Sequence, residues 1–331
     1  VVPWNSPLST AARGIAPALA AGNAVVVKPA DPTPLTALTL AALLHEAGWP
    51  AGACNVVAGT GPDAGAPLVA HAGVDHITFT GSVATGQAVM RAAATHVTRL
   101  VLELGGKSPV VVLADADLEL AVEQTLGAIY EHAGQICSAG SRLVVARAVH
   151  EPFLERFCAR AREIRLAHGL RDEGMGPLIS RVQQARVDGF VQRARARGVA
   201  VRCGGRTAVD PASGAGWFYE PTVLDALAPD DECVQQEIFG PVLAVQVFDE
   251  LDEAVALANG TRFALAAGVF TRSLGAAQRL ALDAGQVYVN EYFAGGIELP
   301  FGGNRGSGFG REKGMEALRS YSKLKGVAGR L

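Results

Sequence analysis

The sequence lacks several features that would each assign it to a particular class of protein. Its 331 residues contain no run of eighteen uninterrupted apolar residues, so no helix is predicted to span a membrane. The net charge is only −3, and no excess of basic residues favours binding to nucleic acid. With 49% apolar and 18% charged residues, the composition also excludes a chain that stays disordered.

Cysteine is scarce and scattered along the chain. The cysteines form no CxxC pair, and no group of histidines has the spacing of metal ligands. The sequence therefore predicts no metal site, and it favours reduced thiols in a cytoplasmic protein, one of which is a candidate catalytic group. The five cysteines are Cys54, Cys137, Cys158, Cys203 and Cys233.

The first residues, Val1 to Trp4, contain no methionine, no basic segment and no apolar signal segment. Their composition is that of the interior of a strand. We therefore expect a fragment or a processed chain.

Short apolar runs alternate with amphipathic stretches through the first hundred residues. This alternation, with short glycine-bearing turns, predicts βαβ units and a parallel sheet. The loops at the carboxyl ends of its strands are expected to share one crevice. The predicted strands are 24–27, 55–57, 76–79 and 99–102, and the predicted helices are 35–47, 64–71 and 82–94.

The α/β pattern restarts after Gly106 and continues to about Val289. It predicts a strand at 109–113 and a long helix at 117–132. Acidic residues lie at the start of this helix, where they suit a helix N-terminus. We expect a surface excursion at 204–216 and a structured loop at 295–310. A final strand at 319–327 would pair with something outside this fold.

Cys137 lies among small residues, just after the predicted helix, in Gly134-Gln135-Ile136-Cys137-Ser138-Ala139-Gly140. Small neighbours leave a thiol accessible and allow backbone N–H groups to converge on an oxyanion. A buried structural cysteine is the alternative, and on residue type alone it is the more common case. The other four cysteines have no such surroundings.

Glu103 stands between two leucines in Leu102-Glu103-Leu104-Gly105-Gly106-Lys107. A carboxylate in that setting is partly desolvated, which raises its pKa and makes it a better base near neutral pH. Pairing with a nearby lysine would explain the glutamate equally well.

A strand, a glycine turn and a helix start follow one another in Phe79-Thr80-Gly81-Ser82-Val83. Such a turn presents backbone N–H groups, including those around Gly81 and Ser82, to a phosphate. It is not the GxGxxG fingerprint, and a plain connection between strand and helix remains an alternative.

Together these segments resemble the aldehyde dehydrogenase superfamily, in particular its NAD(P)-dependent, non-acylating members. The resemblance runs through essentially the whole chain, which lacks the leading segment that family members carry. Seven ordered blocks support it: Pro3–Asn5, Ala20–Asn23 with Lys28–Asp31, Phe79–Ser82, Leu102–Lys107, Gly134–Cys137, Glu237–Val242, and Pro300–Gly303 leading to Gly310–Glu312.

The resemblance implies a mechanism for aldehyde oxidation. Cys137 would attack the aldehyde carbonyl, and the Asn5 side chain and the Cys137 N–H would hold the oxyanion of the thiohemiacetal. Hydride transfer would leave a thioester, for whose hydrolysis Glu103 would activate water. Glu312 is implied as a proton relay.

The resemblance also implies a nucleotide site. Lys28 and Asp31 would bind the adenosine ribose, and a carboxylate there favours NAD because the 2′-phosphate of NADP would meet like charge. The family more often has glutamate at this position, so NADP remains an alternative. Trp4 and Ser82 would face the pyrophosphate. Glu237 would bind the nicotinamide ribose, and Phe239 would pack beside the nicotinamide ring.

Two positions depart from the family in the region where the resemblance implies contacts with the substrate. Ser6 and Arg13 replace residues that are commonly aromatic, and Phe301 is a further candidate substrate contact. A serine and an arginine favour a polar or anionic aldehyde.

Three alternatives stay open. A CoA-acylating enzyme would pass the thioester to CoA, but members of that branch often lack the glutamate found here at Glu103. A cysteine hydrolase would pair Cys137 with one of the seven histidines, none of which has a signature tying it to that cysteine. A truncated, inactive remnant that binds NAD is the third, since without its leading segment the chain would expose apolar surface.

The predicted fold class is α/β and aldehyde dehydrogenase-like. We expect a Rossmann-like cofactor domain at 1–106, a catalytic α/β domain at 107–306, and a return segment at 307–331 that ends in an oligomerisation strand. The expected partners are a small-molecule aldehyde and other copies of the chain, as a homodimer or homotetramer of the full-length form.

Overall fold

The computed structural model describes residues 1–171, 174–280 and 282–330; Leu331, the last residue of the predicted return segment, lies outside this part of the chain. The helices are α1 (Pro7–Ala20), α2 (Leu35–Glu46), α3 (Ala66–Val69), α4 (Val83–Ala94), α5 (Leu118–Tyr130), α6 (His150–Glu163), α7 (Arg181–Ala196), α8 (Glu232–Gln235), α9 (Leu251–Asn259), α10 (Leu274–Arg279) and α11 (Gly314–Ser320). The first strands are β1 (Val25–Val27), β2 (Cys54–Val56), β3 (His76–Thr80), β4 (Arg99–Glu103), β5 (Pro109–Val112), β6 (Arg142–Ala146), β7 (Ala200–Cys203) and β8 (Thr207–Ala208). The remaining strands are β9 (Phe218–Tyr219), β10 (Thr222–Asp225), β11 (Val242–Phe248), β12 (Phe263–Ala264), β13 (Ala266–Phe270), β14 (Gln286–Val289), β15 (Asn304–Arg305) and β16 (Gly308–Phe309).

The chain forms two compact units. Unit 1 comprises Val1–Leu104 and Gly295–Leu331, and unit 2 comprises Gly105–Ala294. The chain thus rejoins unit 1 at Gly295, before the expected end of the catalytic domain at 306, because β16 pairs with β4 and the Leu104 N–H donates to the Ser307 carbonyl. The division into cofactor and catalytic domains by function remains a prediction.

Unit 2 is built on one seven-stranded sheet with the order β14-β13-β5-β6-β11-β10-β7. All neighbouring pairs are parallel except β10 and β7, which are antiparallel. The predicted parallel α/β architecture is therefore present, with one antiparallel edge strand.

Both faces of this sheet are buried. Val110 and Leu143 pack in one apolar cluster, whereas the adjacent Val111 and Val144 pack in a second cluster on the opposite face. Successive side chains of a strand point to opposite faces, so a sheet covered on both sides needs uninterrupted apolar strands. The valine run of β5 has this composition.

Unit 1 contains the parallel pairs β1–β2 and β3–β4, with β16 antiparallel on the outer edge of β4. Val1 and Val2 lie between β1 and β3. The Val1 amino group donates to the Thr78 carbonyl, the Thr80 N–H donates to the Val1 carbonyl, and the Val2 N–H donates to the Lys28 carbonyl. These two residues therefore bridge β1 and β3 at one end only.

Side-chain caps define where several helices begin. The Ser82 hydroxyl accepts the Thr85 N–H at the start of α4, and the Asp117 carboxylate accepts two N–H groups at the start of α5. An oxygen at this position satisfies backbone donors that have no partner within the helix. The predicted helix starts at 82 and 117 are these capping residues.

The predicted strand at 319–327 begins too early, because its first two residues are helical. Arg319 and Ser320 belong to α11, and residues 322–330 form no regular structure. Leu324 and Val327 are largely exposed. The strand was predicted to pair with something outside this fold, and that pairing stays a prediction.

The predicted helix at 64–71 is only partly present. A π-helical turn at Gly61–Gly65 leads into the short helix α3.

Within the described ranges, no helix has both the length and the hydropathy needed to cross a membrane.

Candidate active site

The predicted site residues of unit 1 gather where its parallel strands end. Lys28 follows β1, Gly81 and Ser82 follow β3, and Glu103 is the last residue of β4. Trp4 follows shortly after the Val1–Val2 segment, which runs parallel to β3. The carboxyl ends of parallel strands meet at one edge of a sheet, and in open α/β sheets this edge commonly binds ligands.

Lys28 and Asp31 form a close ion pair. The Lys28 side chain is buried, and its Nζ lies 2.7 Å from Oδ1 of the half-exposed Asp31. The pair therefore presents an ammonium donor and a carboxylate acceptor side by side. This is the chemistry that binds the hydroxyl groups of a ribose.

Ser82 caps α4, a helix of 12 residues, and its side chain is exposed at the entrance to that helix. Gly81 packs closely against Phe79, because a Cβ atom on Gly81 would lie 2.7 Å from the ring. The N–H groups of the first turn of α4 thus adjoin the carboxyl edge of β3, as expected for a phosphate-binding turn.

Glu103 is buried, with 2% of its surface exposed. Neither carboxylate oxygen has a hydrogen-bond partner among the described residues. Burial raises the pKa of Glu103 well above its usual range, the negative charge of Glu312 raises it further, and Arg311 and Arg13 oppose the shift. A Cβ atom on Gly302 would lie 2.6 Å from the Glu103 Oε1, so this glycine leaves the space for the carboxyl group.

Glu312 lies in the same part of unit 1. It is 4% exposed, and its backbone exchanges two hydrogen bonds of 2.7 Å with Phe301. The Arg13 guanidinium lies 3.9 Å from Glu312 Oε2, and its Cζ is 5.2 Å from the centre of the Phe301 ring. Burial raises the pKa of Glu312, and the positive charge of Arg13 opposes that shift. Glu103, Glu312, Arg13 and Phe301 thus form one cluster.

Unit 2 gathers its site residues at the opposite end of its strands. The segments holding Gly106, Cys137 and Glu237 each lie shortly before one of the adjacent parallel strands β5, β6 and β11. Gly106 connects them: its N–H donates to Glu237 Oε1 at 3.0 Å, and a Cβ atom on it would lie 2.3 Å from the Cys137 carbonyl oxygen. Only glycine fits at this position.

Cys137 is half-buried and lies in a turn. The next residue, Ser138, accepts a hydrogen bond of 2.9 Å from the buried Tyr292 hydroxyl. A Cβ atom on Gly134 would lie 2.3 Å from the Gly240 carbonyl oxygen, and one on Gly140 would lie 2.7 Å from Val110. The small residues around Cys137 are therefore required by packing, which fixes the backbone of the turn.

Side chains of α7 hold the segment that contains Glu237 and Phe239. The Gln183 side chain donates to the Phe239 carbonyl at 2.7 Å, and Arg186 donates to the Glu237 carbonyl at 2.8 Å. Phe239 has a φ of 61°, a conformation that costs free energy for a non-glycine residue and that concentrates at functional sites. Burial raises the pKa of Glu237 to about 7.

Two buried cations in unit 2 had no signal in the sequence. Arg142, the first residue of β6, donates to the carbonyls of Lys107, Leu257 and Ala258, and so connects the start of β6 to the residues before β5 and to the end of α9. Lys107 is 1% exposed, its Nζ has no hydrogen-bond partner in the described ranges, and burial lowers its pKa to about 8. Sequence patterns carry no information on burial at a strand start, so neither cation could be predicted to be buried.

The described residues include one group with the composition of a metal site. His150, Glu151 and Asp225 bring three potential ligand atoms within 4.8 Å of one another. Arg202 forms ion pairs with both carboxylates of this group, so a guanidinium already supplies the positive charge there.

Trp4, Asn5 and Ser6 are half-buried, and Ser6 precedes α1 without capping it through its side chain. The predicted residues thus separate into one group in each unit. Unit 1 holds Trp4, Asn5, Ser6, Arg13, Lys28, Asp31, Gly81, Ser82, Glu103, Phe301 and Glu312, and unit 2 holds Cys137, Glu237 and Phe239.

Comparison with known proteins gives consistent matches. Residues 1–327 match the pattern of the aldehyde dehydrogenase family. The chain is 44% identical to a betaine aldehyde dehydrogenase of Bacillus subtilis, over 99% of the chain and 67% of that protein. It is 45% identical to the 4-trimethylaminobutyraldehyde dehydrogenase A of Danio rerio, over 98% of the chain and 65% of that protein.

Among solved structures, betaine aldehyde dehydrogenase from Staphylococcus aureus, in complex with NAD+, superposes with a TM-score of 0.94 at 41% identity. The match covers 96% of this chain and 64% of that one. The chain therefore spans about two thirds of the length of the relatives it matches.

Proposed function

The chain belongs to the aldehyde dehydrogenase family, and from this we propose that it oxidises an aldehyde to a carboxylic acid with NAD as the hydride acceptor. The observation that carries the proposal is Glu103, a buried carboxyl group whose oxygens have no hydrogen-bond partner in the described chain. Such a group opposes folding, and functional sites are where uncompensated groups of this kind concentrate.

Cys137 is the proposed nucleophile. Its sulfur adds to the aldehyde carbonyl and forms a thiohemiacetal, whose oxyanion is held by the Asn5 side-chain amide and the Cys137 N–H. When bound, NAD would supply the hydride acceptor that lets this thiohemiacetal become a thioester. The close approach of Gly106 to the Cys137 carbonyl supports this role because it fixes the backbone that carries the thiol.

Glu103 is the proposed base for the second half of the reaction. It takes a proton from the water that attacks the thioester, and hydrolysis releases the carboxylic acid and the Cys137 thiol. Its raised pKa makes its ionised form strongly basic. Glu312, in the same cluster, is proposed to pass the proton onward.

The side chains in both units have the chemistry to hold NAD. Lys28 and Asp31 offer a donor and an acceptor for the adenosine ribose, and α4 offers N–H groups beyond Ser82 for the pyrophosphate. Glu237 is proposed to hold the nicotinamide ribose beside Phe239. The half-exposed carboxylate of Asp31 disfavours the 2′-phosphate of NADP through like charge.

For the substrate we propose a polar or anionic aldehyde. Arg13 is partly exposed and its guanidinium lies over Phe301, so its charge is directed at the residues proposed to line the substrate path. The Danio rerio relative is named for a trimethylamino aldehyde. A cationic aldehyde of that kind would meet like charge at Arg13.

Substrate charge is tested with Arg13→Ala. We expect the parent chain to prefer a semialdehyde acid over a neutral aldehyde of equal length, and the variant to lose most of that preference through a raised KM for the acid. An unchanged ratio of kcat/KM for the two aldehydes would exclude this role for Arg13.

The reaction itself is tested by following reduction of NAD with a panel of aldehydes, beside Cys137→Ala. Turnover that the substitution abolishes supports a cysteine-dependent dehydrogenase, and Cys54→Ala is the matched control that should keep it. Stimulation by CoA would instead assign the chain to the acylating branch, and a soluble, folded chain that binds NAD without turnover would favour the inactive remnant. The oligomeric state and the cytoplasmic location stay predictions.

A further inference from the structure

The backbone of unit 2 is left-handed just before the proposed nucleophile. His132 and Ala133 have φ values of 52° and 54°, and Gly134, the next residue, has a φ of 69°. We call residues 132–134 the left-handed turn. This conformation suits glycine, but it costs free energy for a residue with a Cβ atom, so His132 and Ala133 are strained. Such a turn persists only where the surrounding structure stabilises it.

The side chain of Gln135 contacts this turn and stabilises it. Gln135 is 2% exposed, and its Nε2 donates to the carbonyls of His132 at 3.1 Å and of Pro177 at 3.4 Å. Its Oε1 accepts the Ile179 N–H at 2.9 Å. Its backbone N–H also donates to the His132 carbonyl, at 3.2 Å. One carboxamide, with two N–H donors and one oxygen acceptor, therefore connects the turn to residues 177–179.

The segment at 177–179 is itself held in place. Leu178 is 1% exposed in the large apolar cluster of unit 2, and its N–H donates to the Trp217 carbonyl at 2.9 Å. The next residue, Ser180, caps α7, because its hydroxyl accepts the Gln183 N–H. Gln135 thus attaches the left-handed turn to a segment that both the core and a helix start fix.

Cys137 lies between two fixed points of the backbone. Gln135 is fixed two residues before it by the hydrogen bonds of its side chain. On the other side, the buried Tyr292 hydroxyl donates to the Ser138 carbonyl at 2.9 Å. The position of the Cys137 Cβ atom, and with it the region that the thiol can reach, therefore depends on both of these contacts.

We propose that Gln135 is a positioning residue for Cys137: its carboxamide holds the left-handed turn against residues 177–179 and so fixes where the thiol meets the aldehyde carbonyl. The inference rests on the proposed function, because it concerns the nucleophile of that reaction. Gln135 acts through the backbone of the turn, so its loss should affect kcat and not the affinity for NAD.

Gln135→Met tests this role in steady-state kinetics. The substitution removes the carboxamide and keeps an unbranched side chain of similar length in a buried place. We expect kcat to fall by roughly a hundredfold, the loss that a displacement of about 1 Å causes at a reacting group. The KM for NAD should change less than twofold, because the residues proposed to bind NAD are unaltered. A parent-like kcat in a folded Gln135→Met variant would overturn the proposal.

Gln184→Met is the matched control. Gln184 is partly buried on α7, and its Nε2 also donates to a main-chain carbonyl, that of Phe218, at 2.7 Å. Since Phe218 is not part of the left-handed turn, this variant loses a hydrogen bond of the same kind and should keep the kcat of the parent chain. An equal loss of kcat in both variants would contradict a specific role for Gln135.

Amide hydrogen exchange, measured by mass spectrometry, tests the contact without any turnover. In Gln135→Met, the peptide that covers residues 131–140 should exchange at least tenfold faster than in the parent chain, whereas a peptide from β11 should be unchanged. A folded parent chain without turnover would contradict the proposed function, and exchange would still show whether Gln135 holds the turn. Unchanged exchange at 131–140 would overturn the inference.

Ala133→Gly, combined with Gln135→Met, tests whether Gln135 opposes the strain of the turn. Glycine adopts a positive φ readily, so the left-handed turn should then persist with less support. We expect the double variant to recover kcat severalfold over Gln135→Met and to fold at least as well. No recovery in a folded double variant would contradict the proposal that Gln135 stabilises a strained turn.

Discussion

At the scale of single residues, two buried carboxyl groups, Glu103 and Glu312, control how the proposed hydrolysis depends on pH. Burial and the charge of Glu312 both raise the pKa of Glu103. Since only the ionised form accepts a proton, the rate of thioester hydrolysis should increase as the pH rises through that pKa.

Glu312→Gln should move this ascending limb to lower pH. The substitution removes a like charge, so the pKa of Glu103 falls and its ionised form persists in more acidic solution. The measurement is the pH profile of kcat under conditions where hydrolysis limits the rate. Glu316→Gln, at an exposed position of α11, should leave the limb unchanged, and an unmoved limb in Glu312→Gln would remove Glu312 from this role.

Gly106 is the residue on which the proposed thiol position depends most directly. Gly106→Ala should lower kcat by roughly a hundredfold, the size of loss that a displacement of about 1 Å causes at a reacting group. A Cβ atom would collide with the Cys137 carbonyl oxygen. Gly127→Ala, where a Cβ atom would meet no other atom, should leave kcat unchanged. An equally unchanged kcat in Gly106→Ala would mean that Gly106 has no part in positioning Cys137.

At the scale of elements, the α4 start combines a structural and a proposed binding role. Ser82→Ala removes the cap that accepts the Thr85 N–H, which should cost about 1 kcal/mol of stability. If the first turn of α4 binds the pyrophosphate, the variant should also have a raised KM for NAD. Loss of stability with an unchanged KM would mean that Ser82 acts on the helix alone.

Ser273→Ala is the matched control for this variant. Ser273 caps α10 by accepting the Ala276 N–H, and it is not one of the residues proposed to bind the ribose or the pyrophosphate. Its removal should destabilise the chain in the same way and leave the KM for NAD unchanged.

The elements also explain which predictions from sequence succeeded. The valine runs of β1 and β5 and the capping residues of α4 and α5 carry local signals, namely β-branched residues and side-chain acceptors, and these elements lie where they were expected. The predicted strand at 319–327 overlaps the end of α11, and its pairing outside the fold, which is not a local property, stays a prediction. The segments of Cys137 and Glu237 precede strands of unit 2, although the rule for α/β sheets favours the carboxyl ends.

At the scale of the whole molecule, the alternation of strands and helices was sufficient for the α/β class and the parallel sheets. It was not sufficient for the return of the chain to unit 1 at Gly295. That crossing depends on the pairing of Gly308 and Phe309 with β4, between residues about two hundred positions apart. The burial of Arg142 and Lys107 could not be predicted from the sequence for the same reason, since it depends on residues far apart in the chain.

The free energy of unfolding is a property of the whole chain, and Lys107 makes it depend on pH. Its pKa is about 8 in the folded protein, against 10.5 for the ordinary side chain, because burial disfavours the ammonium form. Between these two values the unfolded chain binds a proton that the folded chain has lost, so stability rises with pH across this interval. Below about pH 8 the full destabilisation of about 3 kcal/mol is present.

Lys107→Met should therefore stabilise the protein at neutral pH, by at most this amount, because an apolar side chain of similar length avoids burial of the charge. The gain in Tm should shrink as the pH rises from 8 toward 10.5, since the lysine becomes neutral in both states. Lys325→Met, at an exposed position, should change Tm little at any pH. A gain for Lys107→Met that stays constant up to pH 10.5 would mean that packing, and not charge, determines the difference.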